Sequence, residues 1–251
     1  MVLYDTLIDR LKELTENLES AVYLYDENRR WPENENYEMI LQKDMSIELG
    51  TGGKSAVNYT CVTTRTDDFA EDGIRIFGPD FSDIQMPVNY ARVCEVVIKE
   101  DKGIESDARR IYKLLQDIDF VKYHIYPKGY MIRTSGQSPR EQIRISKKAL
   151  KDGISFASIG NTYIRHYKKN PAVRRVRVSF FTTDAVDYAE LKKSAEAAAR
   201  IRNSLSDIGK GLPKDCGNCG IKEICADIVG LKELHFGALG ENIPDLKTTQ
   251  E

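Results

Sequence analysis

The sequence predicts an α+β fold: a mixed sheet domain with packed helices, followed by a helix and a small Cys-rich metal-binding region. Three observations predict this class. Short runs of period-two alternation recur from Met45 to Phe181, as in Tyr59-Thr60-Cys61-Val62-Thr63 and along Val173 to Phe181. Helical runs fall between them without the strict strand–helix–strand order of a parallel α/β sheet. After the last strand come a long Ala-rich run and three cysteines within ten residues.

Each element has its own signal. Leu3, Leu7, Leu11, Leu14 and Leu18 recur at steps of three and four among charged residues, which predicts an amphipathic helix of about five turns covering the body of the protein or else a partner's surface. Glu27 to Asn36, with Trp31-Pro32, reads as a loop. Strands are predicted at Met45–Leu49, Tyr59–Thr63, Gly73–Asp80 and Tyr90–Lys99, then a helix over Asp107–Asp117. Two more strands follow at Gly129–Arg133 and Gln142–Ile145. Ser146 is placed to cap a short helix over Lys147–Lys151. A helix within Ile154–Lys169 is stopped by Pro171, a strand spans Val173–Phe181, and Asp184–Leu205 has high helix propensity. Gly209 to Pro213 forms a hinge into the cysteine-rich region. Three parts are expected: 1–30, the first helix and its lead-in; 31–183, the mixed-sheet domain; and 184–251, the long helix with the cysteines.

Composition narrows the function. Of 251 residues, 41% are hydrophobic and 30% charged, as in ordinary soluble domains. A net charge of -2 gives no global attraction to nucleic acid, so an anion site must be local. No run approaches the ~18 apolar residues of a membrane span. The N-terminus is too acidic for a secretory signal. A cytoplasmic, reducing location is therefore expected, which favours thiols as ligands over disulfides.

Gly50-Thr51-Gly52-Gly53-Lys54-Ser55 imitates part of a phosphate-binding loop, but Glu48 stands where the motif needs glycine and the following residues look extended. A glycine-rich hairpin turn is expected there instead. His124 lies between apolar neighbours and reads as a core histidine. No Ser/His/Asp triad or carboxylate pair is discernible.

Two stretches carry chemistry. Cys216, Cys219 and Cys225 are separated by two and five residues, with Gly217 and Gly220 allowing a tight fold. Three thiolates so placed suit a soft metal ion or an iron–sulfur cluster; a disulfide with a spare thiol is the plainer alternative. Basic residues gather between Arg140 and Arg177, against Glu141 and Asp152 alone. Of these, Arg144, Lys147, Arg165, Arg174, Arg175 and Arg177 are candidates for a phosphorylated ligand; the plainer alternative is a solvated face whose balancing acids lie elsewhere in the fold. Strand alternation puts Arg175 and Arg177 on one face and Arg174 on the other.

Gln42 to Gly50, Ile76-Phe77-Gly78-Pro79-Asp80, Ile143 to Lys147, Ile159-Gly160-Asn161 and Val176-Arg177-Val178 resemble, in order and spacing, the middle domain of acetyl-CoA synthase, the beta subunit of the carbon monoxide dehydrogenase/acetyl-CoA synthase complex. The likeness covers about residues 38 to 183. It implies a fold and a setting in anaerobic one-carbon or acyl metabolism, with a corrinoid protein or a carbon monoxide dehydrogenase-type subunit as partner and coenzyme A as ligand. It also implies a [4Fe–4S] cluster on the cysteines, with zinc as the alternative. On this resemblance His235, with nine residues between it and Cys225, stands where the family has its fourth cluster cysteine. The rivals for that position are Cys61, Cys94 or an open iron.

The sequence departs from the family in several places. No cysteine follows Cys225, so the Cys-Gly-Cys that holds the family's far nickel has no counterpart. Cys219 and Cys225 are closer than the corresponding pair. Gln142 replaces a tryptophan beside the family's coenzyme A region, and the N-terminal docking domain is expected to be missing. The expected function is thus an acetyl-CoA-synthase-like iron–sulfur protein without nickel and without the family's own reaction. The alternative is a non-catalytic module docking a corrinoid protein or a coenzyme A-like ligand.

Overall fold

The computed structural model describes residues 3–101, 108–134, 139–210 and 219. It is an α+β structure built on two sheets. The larger uses β1 (Ala21–Leu24), β3 (Ala56–Thr63), β4 (Gly73–Phe77), β5 (Tyr90–Ile98) and β8 (Val173–Phe181), in the order β1-β4-β8-β5-β3. It is mixed: β4 runs parallel to β8 and β3 parallel to β5, while β8 and β5 are antiparallel. The smaller sheet is antiparallel, order β2-β7-β6, from β2 (Met45–Leu49), β7 (Glu141–Ser146) and β6 (Tyr130–Thr134).

Five helices accompany the sheets among the described residues: α1 (Asp5–Thr15), α2 (Ala108–Asp119), α3 (Lys147–Lys151), α4 (Phe156–Tyr167) and α5 (Tyr188–Gly209). Helix α4 packs on β4 and β8, while α1 and α5 lie on β3 and α2 packs on α5. Strands β3 and β5 are consequently buried at every residue, which explains their runs of apolar side chains.

Local chemistry sets the boundaries. Ser146 Oγ accepts from Ala149 N at 3.0 Å and starts α3. Ser155 and Ser158 form a reciprocal capping box on α4. Asp187 Oδ1 accepts from the amides of Ala189 and Glu190 and starts α5. Asp80 Oδ1 accepts from Phe81 N at 2.7 Å and from Phe156 N at 2.9 Å, tying the turn after β4 to the head of α4. Its burial pushes the Asp80 carboxyl above the usual carboxylate range. Gly160 marks the closest approach of α4 to the sheet, since a Cβ there would lie 2.4 Å from Ile74 Cγ1.

Several expectations are corrected. Helix α1 ends at Thr15, so Leu18 packs on the core from outside it. Ala21–Leu24 is a strand where none was predicted; at an edge and four residues long, it has too few alternating positions to signal itself. The Gly50–Gly53 turn has glycines at positive φ, but it is not a hairpin: β2 and β3 belong to different sheets. His124 is exposed, as is Tyr123 before it; only Ile125 after it turns inward. Gly209 is the last residue of α5, and residues 211–213 of the expected hinge lie outside the described residues.

Candidate site: a polar junction, an open cavity and scattered cations

The two sheets meet at a buried ion pair. Arg92 on β5 donates from Nε and Nη2 to the Glu141 carboxylate on β7, at 2.9 and 2.7 Å, and neither side chain is exposed. Arg92 Nη1 also donates to Cys94 Sγ at 3.0 Å, and its guanidinium lies 4.3 Å from the centre of the Tyr163 ring. Burial opposes the charge on Arg92, but the Glu141 carboxylate outweighs it and holds the guanidinium above its ordinary pKa. Burial raises the phenols of Tyr90, Tyr130 and Tyr163 around the pair. With every member hidden from solvent, this junction fixes one sheet against the other.

The six predicted ligand-binding cations fall in different places. Arg144 on β7 pairs with Glu48 at 2.6 Å and also donates to the Ile40 carbonyl. Arg165 on α4 pairs with Glu33, whose other oxygen lies 2.9 Å from His166 Nε2. Arg177 grips Glu95 through two bonds of 2.7 and 2.5 Å and lies over the Phe69 ring. Arg175, on the same face, donates to the carbonyls of Thr66 and Phe69, and Arg174 on the other face is exposed. Lys147, the first residue of α3, donates to the Lys43 carbonyl and lines an open cavity.

That cavity, about 640 Å³, lies where the extended segment 30–44 passes the turn into β6 and helix α3. The wall is set by backbone pairing: Asn34 N donates to Tyr126 O, Lys128 N to Pro32 O, and Trp31 Nε1 to Lys128 O at 2.7 Å. Outside it, Arg165 and His166 hold Glu33. Five basic residues line it, Arg30, Lys43, Lys128, Lys147 and Lys148, against three acidic ones, Glu38, Asp44 and Asp152. Glu38 is already engaged with the amides of Asn34 and Gly129. Sequence reading placed Lys147 here but missed Arg30, Lys43 and Lys128, which come from distant parts of the chain.

Of the predicted metal ligands, Cys216, Cys225 and His235 lie outside the described residues. Cys219 is a free, half-buried thiol packed against the core. No group of three or more potential ligands occurs among the described residues. The rivals Cys61 and Cys94 are wholly buried in β3 and β5, and burial raises both thiols. The donor set Cys216, Cys219, Cys225 and His235, three thiols and an imidazole, suits zinc or an iron–sulfur cluster by its chemistry.

Among the described residues no helix is long and apolar enough to cross a membrane. No curated protein matches the sequence. The family model for the beta subunit of the CO dehydrogenase/acetyl-CoA synthase complex, CdhC, matches residues 33–186, slightly more than the stretch that carried the resemblance. With more than half of its length in that match, the chain belongs to the CO dehydrogenase/acetyl-CoA synthase beta-subunit family.

Proposed function

We propose that the chain is an acetyl-CoA-synthase-like, cytoplasmic protein of anaerobic one-carbon or acyl metabolism, holding an iron–sulfur cluster next to a family-type middle domain. The observation that carries this reading is the family match over residues 33–186, followed within the same chain by the cysteine run. Cys216, Cys219, Cys225 and His235 would hold a [4Fe–4S] cluster, which supplies electron transfer or an electrophilic iron. Half-burial of Cys219 against the core supports a site docked on the body of the protein. An imidazole in place of a thiolate makes such a site less negative and raises its potential. The family's membership of a complex supports a partner of carbon monoxide dehydrogenase type; a corrinoid protein is the other partner of this reading.

We propose that these 251 residues do not by themselves carry out the family's own reaction, since within them no Cys-Gly-Cys follows Cys225 to hold a far nickel. Anaerobically purified protein should be brown and contain iron and sulfide. Colourless protein with stoichiometric zinc would overturn the cluster, and stoichiometric nickel with acetyl transfer to coenzyme A would overturn the loss of the reaction. His235→Ala should lower metal content; an unchanged spectrum in that variant, with loss in Cys94→Ser, would move the fourth ligand to Cys94.

A second reading is a docking module with a structural knuckle, and the cavity favours it. A basic, open cavity lined mostly by the matched region gives a coenzyme A-like or other phosphorylated ligand a place that needs no catalytic centre. Calorimetry at low salt should show binding of such a ligand, and no heat at millimolar concentration would count against it.

A further inference from the structure

We infer that the outer edge of β1 is an interface between two copies of this chain, joined β1 to β1 in antiparallel register about Tyr23. The inference goes beyond the cluster and cavity readings and depends on neither. The strand also lies before the family-matched residues 33–186.

Backbone and side chains agree at this edge. Among the described residues β1 pairs with β4 alone. Tyr25 N donates to Asp72 O at 3.0 Å, so by alternation Ala21 and Tyr23 also bond inward to β4. Val22 and Leu24 therefore aim their N–H and C=O groups away from the sheet. The same two side chains are 64% and 62% exposed and share one face of the strand. Sheet edges are ordinarily guarded by Lys, Pro or a bulge; Ala21–Leu24 has neither residue, and its register with β4 is unbroken.

Symmetry and charge select a second copy as the occupant. With Tyr23 on a two-fold axis, Val22 of each copy faces Leu24 of the other. Residues with outward backbone groups then meet, exchange N–H···O=C bonds, and gather their apolar side chains into one patch. A slip of one residue would oppose Val22 to Tyr23, whose backbone groups are spent on β4. The next even registers would set Val22 against Asp26, or Leu24 against Ser20. Charge favours the axis at Tyr23. Arg75, opposite Val22 on β4, lies over the Phe77 ring and donates to Ser20 Oγ, with no ion pair among the described residues. This register brings Asp26 of the second copy opposite Ser20, and Asp26 makes no ion pair within its own chain among the described residues. Each copy thus offers a carboxylate to a guanidinium that lacks one.

The full-length protein is followed by sedimentation equilibrium and by hydrogen exchange over a range of concentrations. A short strand makes a small interface and a weak dimer, so the average mass should climb from 28.5 kDa toward twice that value as concentration rises. Exchange in the peptide spanning residues 20–26 should slow over the same range. The variant Val22→Lys/Leu24→Lys should weaken association by about ten-fold or more. Met86→Lys, at another exposed apolar position, should leave it unchanged. Asp26→Asn should weaken it by about two- to five-fold at low salt. A monomer at every concentration would overturn the interface, and so would a dimer untouched by the lysine pair. Slow exchange at 20–26 that ignores concentration would also overturn it, by showing that the chain covers its own edge. Exchange is read on the unmodified chain, so that outcome does not depend on how the variants fold.

Discussion

Arg92 and Lys148 carry the same charge and meet opposite fates. Arg92 is sealed inside the protein, with its charge matched by Glu141 and its third nitrogen, Nη1, donating to Cys94. Lys148 stands at the rim of an open cavity, unpaired among the described residues. The difference separates what holds the fold from what is available to a ligand. A buried charge is valuable only through its partner, whereas an exposed one contributes little to stability and keeps its capacity for binding.

The strongest way to break this contrast is at the junction. Glu141→Ala should destabilise the protein by about 3–5 kcal/mol, because it strands a buried guanidinium. Urea unfolding would show this as a lower midpoint at constant slope. The double variant Arg92→Met/Glu141→Leu should recover most of the loss; if it is as unstable as the single variant, packing and not the stranded charge sets the cost. Next comes a pair on one strand. Arg177→Ala, which strands buried Glu95, should cost about 3 kcal/mol. Exposed Arg174→Ala should stay within about 0.5 kcal/mol. Equal effects would show that burial of the partner does not decide the outcome.

His166 sharpens the contrast through pH. Burial, partly offset by Glu33, lowers its pKa from the ordinary 6.5. The unfolded chain therefore holds the proton more tightly, and the folded state favours the neutral ring. This contribution to stability is complete above pH 6.5 and is lost as pH falls through 6.5 toward the folded value. His166→Gln should flatten the acid side of a plot of urea midpoint against pH; an unchanged profile would place the effect elsewhere. The smallest effect belongs to the cavity rim, where Lys43→Ala/Lys148→Ala should alter unfolding stability by less than about 1 kcal/mol while changing ligand affinity.

The fold class and most strands were legible because alternation and capping are local signals. Ser146, Asp80 and Pro171 act within a few residues of where they stand. The strings that carried the family resemblance also turn out to do structural work. Asp80 ties a turn to α4, Gly160 sits against Ile74, and Arg177 holds Glu95. That explains why they reveal ancestry better than chemistry. The cavity was not legible, because Arg30, Lys43 and Lys128 meet only through tertiary pairing of the 31–34 strap with residues 126–128. Nor could sequence tell that Arg144, Arg165 and Arg177 would each find a carboxylate, since Glu33, Glu48 and Glu95 lie far upstream. His124 and His166 show the same limit: flanking residues suggested that His124 was inside, yet His166 is the one mostly enclosed.

Strand β8 has a consequence for how the chain comes into being. It occupies the centre of the larger sheet, between β4 and β5, yet it is the last strand in sequence among the described residues. During synthesis β4 emerges without its inner neighbour and must wait for about a hundred more residues before Val178 can pair with Ile74. The β2-β7-β6 sheet and the β3–β5 pair have all their strands by Ser146 and can form earlier. Pulse-labelled hydrogen exchange during refolding should therefore protect β3, β5 and β7 before β4 and β1, with the apolar edge of β4 exposed to chaperones in the interval.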